Sequence, residues 1–152
     1  MKKIISLIVL IAWMSFIFLM SNKNGQASGN LSSLFIRNVV VTVTNIKDES
    51  KIEYIVQKSS FFVRKTAHFF EYFVLALLTI NFLTNFGFNK HLFLYATIFC
   101  IIYAITDEVH QLFISGRSGQ ISDVLLDSLA SILSSYIFSK LYLRGGYEKK
   151  NN

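Results

Sequence analysis

The chain has 152 residues, room for one domain, and 53% of them are hydrophobic and 15% aromatic. A mean hydropathy of +0.47 excludes an ordinary soluble domain of this size. The formal charge of +6 is scattered through loops and tails without an aromatic and basic RNA signature, so the expected partners are membrane lipids with anionic headgroups and not nucleic acid. The single cysteine, Cys100, lies in an apolar run and excludes an intramolecular disulfide.

The first apolar run, "IISLIVLIAWMSFIFLM" at 4–20, follows Lys2 and Lys3. A secretory signal begins in the same way, and Gly25, Gln26 and Ala27 form a small-x-small cleavage pattern. The run is longer than a usual signal core and reaches span length, which favours a retained anchor. In the long segment that follows, Leu31, Leu34, Phe35, Val39, Val43 and Ile46 fit one helical stripe. Ile52, Ile55 and Val56, with Phe62 or Val63, fit a second beyond the polar "KDESK". This predicts two short amphipathic helices in the headgroup plane. The alternation of Val39, Val41 and Val43 also suits a strand.

Three further runs, 67–83, 92–114 and 123–143, have helical length, and helices satisfy their own backbone in lipid. The short connections "TNFGFNKH" and "SGRSGQIS" force antiparallel hairpins. Lys2, Lys3, Lys90, Lys140, Arg144, Lys149 and Lys150 fall on one side if both termini are cytoplasmic. The expectation for 1–152 is a single all-α domain: a polytopic integral membrane four-helix bundle with amphipathic extracytoplasmic helices between spans one and two.

Charge gathers where a membrane protein avoids it. In "RKTAHFFEYFVLAL", Arg64, His68 and Glu71 share a helical face, Glu71 about 10 Å along the axis from Arg64. Asp107, His110 and Gln111 share another with Glu108 beside it, and Asp123 and Asp127 stand one turn apart in the last span. All three sets fall in one depth band, and a charge near mid-span costs on the order of 2.5–3.5 kcal/mol, so they are expected to face each other or a polar cavity. Arg64 and Lys65 at a helix start, and Asp107 and Glu108 near a helix end, oppose the helix dipole. Pairing of Arg64 or Lys65 with acids of the third or fourth span would explain both anomalies.

Plainer readings compete at several positions. Ser122 and Asp123 read as a helix N-cap and a first-turn acid. Gly116 and Gly119 are turn formers, Arg117 is a loop charge or an anion clamp, and the aromatics of 61–72 are interfacial packing. Ser131, Ser134 and Ser135 with Ala130 read as small residues that let helices approach.

The stretches "RKTAHFFEY" at 64–72 and "TDEVHQLFISGRSGQISDVLLD" at 106–127, with a short anchor ending near Ser21, resemble the VanZ family. Its members are small membrane proteins named for one associated with resistance to the glycopeptide antibiotic teicoplanin. By that resemblance the characteristic polar positions are Arg64, Lys65, His68, Glu71, Tyr72, Asp107, Glu108, His110, Gln111, Gly116, Arg117, Asp123 and Asp127. The family's Ser-Ser-Gln stretch after the first span reads "SNKN" here.

Two functions from different classes follow. One is binding or shielding in the bacterial cytoplasmic membrane: an outer charged cleft recognises a glycopeptide or an anionic lipid-linked envelope precursor, Arg64 and Arg117 addressing phosphate or carboxylate, with no cofactor. The alternative is a hydrolase or transferase acting on such a lipid. His68, His110, Asp107 and Asp127 would then hold Zn²⁺ or Mg²⁺, and Glu71 or Glu108 would act as general base. No HExxH or CxxC supports the metal. A transporter lacks a continuous polar path, and Ser115 and Ser118 near His110 are the one hydroxyl-imidazole neighbourhood.

Overall fold

The computed structural model describes residues 1–151 except 24, 45, 47 and 118, without the side chains of 25–28 and 144–151. The side chains of the Gly25 to Ala27 cleavage pattern, and those of Arg144, Lys149 and Lys150, lie outside the described residues. Among the described residues the chain forms five helices and no strand: α1 (Lys2–Ser21), α2 (Gly25–Thr44), α3 (Glu49–Asn85), α4 (Leu92–Gln111) and α5 (Ile121–Asn151). Four of these, α1, α3, α4 and the Ile121–Leu143 part of α5, are long and apolar enough to cross a membrane. The all-helical membrane bundle is thus as expected, and the valine alternation at 39, 41 and 43 is helical.

The two stripes before span two do not make two separate short helices. The first is α2, whereas the second is the opening half of α3, which continues through the span to Asn85 over 37 residues, about 55 Å. The cause is local. Asp48 is the N-cap, its Oδ1 accepting from Ser50 N (3.1 Å), Lys51 N (3.4 Å) and Ser50 Oγ (2.6 Å). These bonds, the Ser50 hydroxyl's first, hold the Asp48 carboxyl below its usual range. From there no glycine or proline occurs before Gly87, so nothing stops the helix. Arg64 and Lys65 therefore lie about four turns inside α3, and the expected conflict with its N-terminal dipole does not arise.

The chain reverses between α2 and α3, and α2 lies antiparallel to this opening half. Ile36 and Val40 pack on Ile52, Ile55 and Val56, the Ser33 and Ser60 hydroxyls meet at 3.5 Å, and Arg37 pairs with Glu49. Span three ends at Gln111 rather than 114, because 112–114 already turn, and the last span starts at Ile121 rather than 123.

The bundle interior is built from small residues. Ala76 and Thr79 of α3, Ala96 and Cys100 of α4, and Ala130, Ser131 and Ser134 of α5 are all buried. Ser134 Oγ donates to Phe73 O at 2.6 Å and joins α5 to α3 directly, as the small-residue reading anticipated. On α1, Ser6, Leu10, Ile17 and Ser21 form a buried stripe, and Leu10 and Ile17 share a core with Tyr72, Leu75 and Ala104. Trp13 Nε1 donates to Glu71 O (3.0 Å) and Tyr103 Oη to Met14 O (2.7 Å), so α1 is hydrogen-bonded into the bundle. Large apolar side chains such as Ile8, Leu94, Ile102 and Leu129 point outward, as a lipid-facing surface requires.

Ser134→Ala is expected to cost about 0.6 kcal/mol or a little more, the worth of one interhelical hydrogen bond. Ser134→Leu is expected to cost about 1–3 kcal/mol by wedging α5 from α3. Thermal unfolding in detergent separates the two, and equal losses would count against close packing at this seam.

Candidate functional site

α1 and α4 end, and α5 begins, at one end of the bundle, where α3 passes from its opening half into the span. This end holds the charged groups of 64–71, 107–111 and 117–127 singled out from the sequence. Lys65 Nζ forms an ion pair with Asp123, joining α3 to the first turn of α5, with both side chains largely buried. This is the pairing expected between the basic pair and an acid of the last span. Ser122 is not the cap of α5; it lies inside the helix, its hydroxyl donating to Gln120 Oε1 at 3.3 Å.

Glu108, buried at 6% exposure, accepts the Gln120 backbone N–H on Oε1 at 2.5 Å and holds the α4–α5 connection down. Gly116 turns that connection with φ +73°, a left-handed conformation that favours glycine. Gly119 has a different reason: a Cβ there would stand 3.2 Å from Glu108 O and closer still to the Leu112 side chain.

Arg117 has neither of its two expected roles alone. Its Nε donates to Lys23 O (3.1 Å), one terminal nitrogen to Met20 O (3.2 Å) and the other to Gln111 Oε1 (3.1 Å). The guanidinium thus closes the C-terminal end of α1, where unpaired carbonyls and the negative dipole end favour a cation. Burial, then Arg64, draw its pKa below the ordinary arginine value, while Asp107, Glu108 and Glu71 oppose the shift; an arginine remains charged throughout.

Beside this clasp lies a cavity of about 190 Å³ between α1, α2 and α3. Arg64, His68 and Glu71 of α3, with Asp107 and Arg117, give it a charged lining to which Ser21, Lys23 and Ser32 add polar groups; Ile17, Met20, Leu31, Phe35 and Val63 are its apolar lining. His68 Nδ1 stands 3.9 Å from Glu71 Oε2 and 4.0 Å from Asp127 Oδ2, too far for hydrogen bonds. Asp107 Oδ2 accepts from Gln111 Nε2 at 3.3 Å. Asp107 Oδ1, Arg64 Nε, Tyr72 Oη and Asp127 Oδ1 are buried with no hydrogen-bond partner. Tyr72 and Asp127, at 0% and 1% exposure, sit behind the cavity wall, not on it.

The helical face drawn from spacing is split in one place. Asp107, Glu108 and Gln111 turn inward, whereas His110 faces α1 and stacks on Phe18 with ring centroids 4.7 Å apart. Among the described residues no three of His, Cys, Asp or Glu converge as metal ligands, so His68, His110, Asp107 and Asp127 are not assembled into one shell. Of the two candidate bases Glu71 lines the cavity, and Glu108 is engaged with the connection. Ser115 is exposed in a turn and Ser118 lies outside the described residues.

Sequence reasoning missed Trp13 and Tyr103, which fix α1 against this end. A polar-handled aromatic inside a span was the available signal, since a buried indole N–H or phenol finds a partner. The carbonyls of Met20 and Lys23 carry no such signal.

Arg117→Ala is expected to free the end of α1, speeding amide exchange at 18–23 and lowering stability by about 1.5–3 kcal/mol, the worth of hydrogen bonds to a charged group. Arg117→Lys should recover only part of this, since an ammonium cannot reproduce the three-way fork. Unchanged exchange in Arg117→Ala would remove the clasp.

No curated protein and no solved structure matches the chain. The VanZ/LLP1 family model matches residues 6–143, a stretch that begins in α1, includes the clasp, the buried acids and the cavity, and ends with the apolar part of α5. The chain therefore belongs to the VanZ-like family, which is associated with glycopeptide resistance.

Proposed function

We propose that this VanZ-like membrane protein contributes to teicoplanin resistance by binding at the outer face of the bacterial cytoplasmic membrane, through the cavity beside the Arg117 clasp. The observation that carries this reading is that one cavity is lined both by two arginines and by aliphatic and aromatic residues. An amphiphile with an anionic head satisfies both linings at once, and both an acylated glycopeptide and a lipid-linked envelope precursor have that chemistry. Occupancy of the cavity would lower the effective activity of a membrane-anchored glycopeptide.

The placement outward rests on charge. Lys2, Lys3, Lys90 and Lys140 lie at the opposite end of the bundle, which favours cytoplasmic termini. At the cavity end, Lys65 is neutralised by Asp123 and Arg117 by the end of α1, so two of the basic residues there are engaged internally. The hydrolase reading draws no comparable support, because its proposed ligands are not gathered.

The test is teicoplanin susceptibility of a sensitive host expressing wild type, Arg64→Gln or Asp127→Asn at matched membrane levels. Wild type is expected to protect. Arg64→Gln should lose most of that protection, about tenfold or more in affinity for an anionic head, because it removes a charge-assisted contact. Asp127→Asn should lose less, since Asp127 stands behind His68. Protection equal in wild type and Arg64→Gln would sink the cleft, and none in either would sink the resistance role of this member.

A further inference from the structure

The cavity's charged lining makes two opposite demands. Arg64 Nε–H is buried without an acceptor, and three of the five N–H groups of Arg117 are engaged, leaving two. Asp107 Oδ1, on a residue only 5% exposed, is buried without a donor, and the Glu71 carboxylate meets His68 only at 3.9 Å. The two kinds of group act on each other only at longer range: neither Arg64 nor Arg117 forms an ion pair with Asp107 or Glu71 among the described residues.

Each unmet group restricts the ligand. A bare phosphate would satisfy the arginines and bring further negative charge to Asp107. A neutral sugar would satisfy the carboxylates and leave Arg64 desolvated, at about 1–3 kcal/mol or more for a charged group. A head that carries acceptor oxygens at one point and O–H donors at another meets both demands, the hydroxyls donating to carboxylate oxygens. The apolar lining adds a third restriction. Leu31 and Phe35 line the cavity and also remain 44% and 60% exposed on α2, so its apolar lining is continuous with an exposed apolar surface that acyl chains could cover.

We propose that the cavity binds a phospholipid whose headgroup bears free hydroxyls, a polyol phosphate on a lipid, with Arg64 and Arg117 taking the phosphate and Asp107 and Glu71 taking the hydroxyls. The proposal rests on the binding reading above and specifies the class of amphiphile. Asp127 and Tyr72, buried behind the lining, act as positioning residues together with His68, whose Nδ1 stands 3.9 Å from Glu71 and 4.0 Å from Asp127.

The experiment uses the full chain in phosphatidylcholine nanodiscs doped equally with phosphatidylglycerol, which has two head hydroxyls, and phosphatidic acid, which has the phosphate alone. Lipid co-released with the protein is counted by native mass spectrometry. Wild type should retain phosphatidylglycerol about tenfold over phosphatidic acid, the worth of one or two hydrogen bonds to a charged group. Arg64→Gln should lower retention of both. Asp107→Ala, or Glu71→Gln should the first misfold, should bring phosphatidylglycerol down to the phosphatidic acid level. Excess soluble glycerol phosphate should displace neither, because it lacks the chains that meet Leu31 and Phe35.

Equal retention of the two anionic lipids by wild type would overturn the hydroxyl contact while leaving an anion-binding cleft standing. Displacement by glycerol phosphate would overturn the lipid. Retention of neither over phosphatidylcholine would overturn this proposal and the anionic-head reading together, whereas loss of teicoplanin protection alone would leave it intact.

Discussion

Every charged group at one end of this bundle must be satisfied inside the protein, and that requirement organises the molecule. In hydrocarbon an unpaired charge is removed from water with no compensation, so most are bonded to another element or held at the cavity, and Asp127 stands 4.0 Å from His68. Lys65 reaches from α3 to α5, Glu108 from α4 to the backbone of the connection, and Arg117 from that connection to the end of α1. Three costly groups thereby become three cross-links between elements distant in sequence. Isolated buried ion pairs contribute little net stability, but removing one partner leaves the other uncompensated, and this dependence defines the register of the helices.

These links work only because the helices come close. Ala76, Ala96, Ala130 and the serines of α5 keep side-chain bulk away from the seam, and Ser134 donates straight to a carbonyl of α3. Lipid supplies no hydrophobic drive between spans, so contact at short range and hydrogen bonds to backbone hold them together. The first helix joins by the same means, through Trp13, Tyr103 and Arg117. Arg64 Nε and Asp107 Oδ1, both on residues that line the cavity, are among the buried groups that remain unpartnered.

Hydropathy and helical spacing made the four spans legible, together with the convergence of Arg64, His68, Glu71, Asp107 and Asp127 at one end. The ion pair between Lys65 and an acid of the last span followed from two misplaced charges. What escaped had physical reasons. The second outer stripe was separated from the span because "RK" looks like a boundary, yet helix ends are made by caps and breakers, and Asp48 and Gly87 are the ones present. His110 was grouped with Asp107 because a three-residue offset places both on one broad face. Which half of that face meets α1 depends on packing with Phe18, a long-range contact. Arg117 looked free or ligand-directed because its partners are main-chain carbonyls, and any residue has those.

The unbroken course of α3 has a mechanical consequence. With neither proline nor glycine between Glu49 and Asn85, the helix contains none of the common points at which helices kink, so it transmits displacement along its length as a stiff rod. A load applied to its opening half is delivered to the level of Arg64 and His68 and is not absorbed on the way. Relative movement at the cavity's apolar lining therefore falls to α2, which is held on the opening half of α3 by Ile36, Val40 and the Arg37–Glu49 pair and carries Leu31 and Phe35 with it.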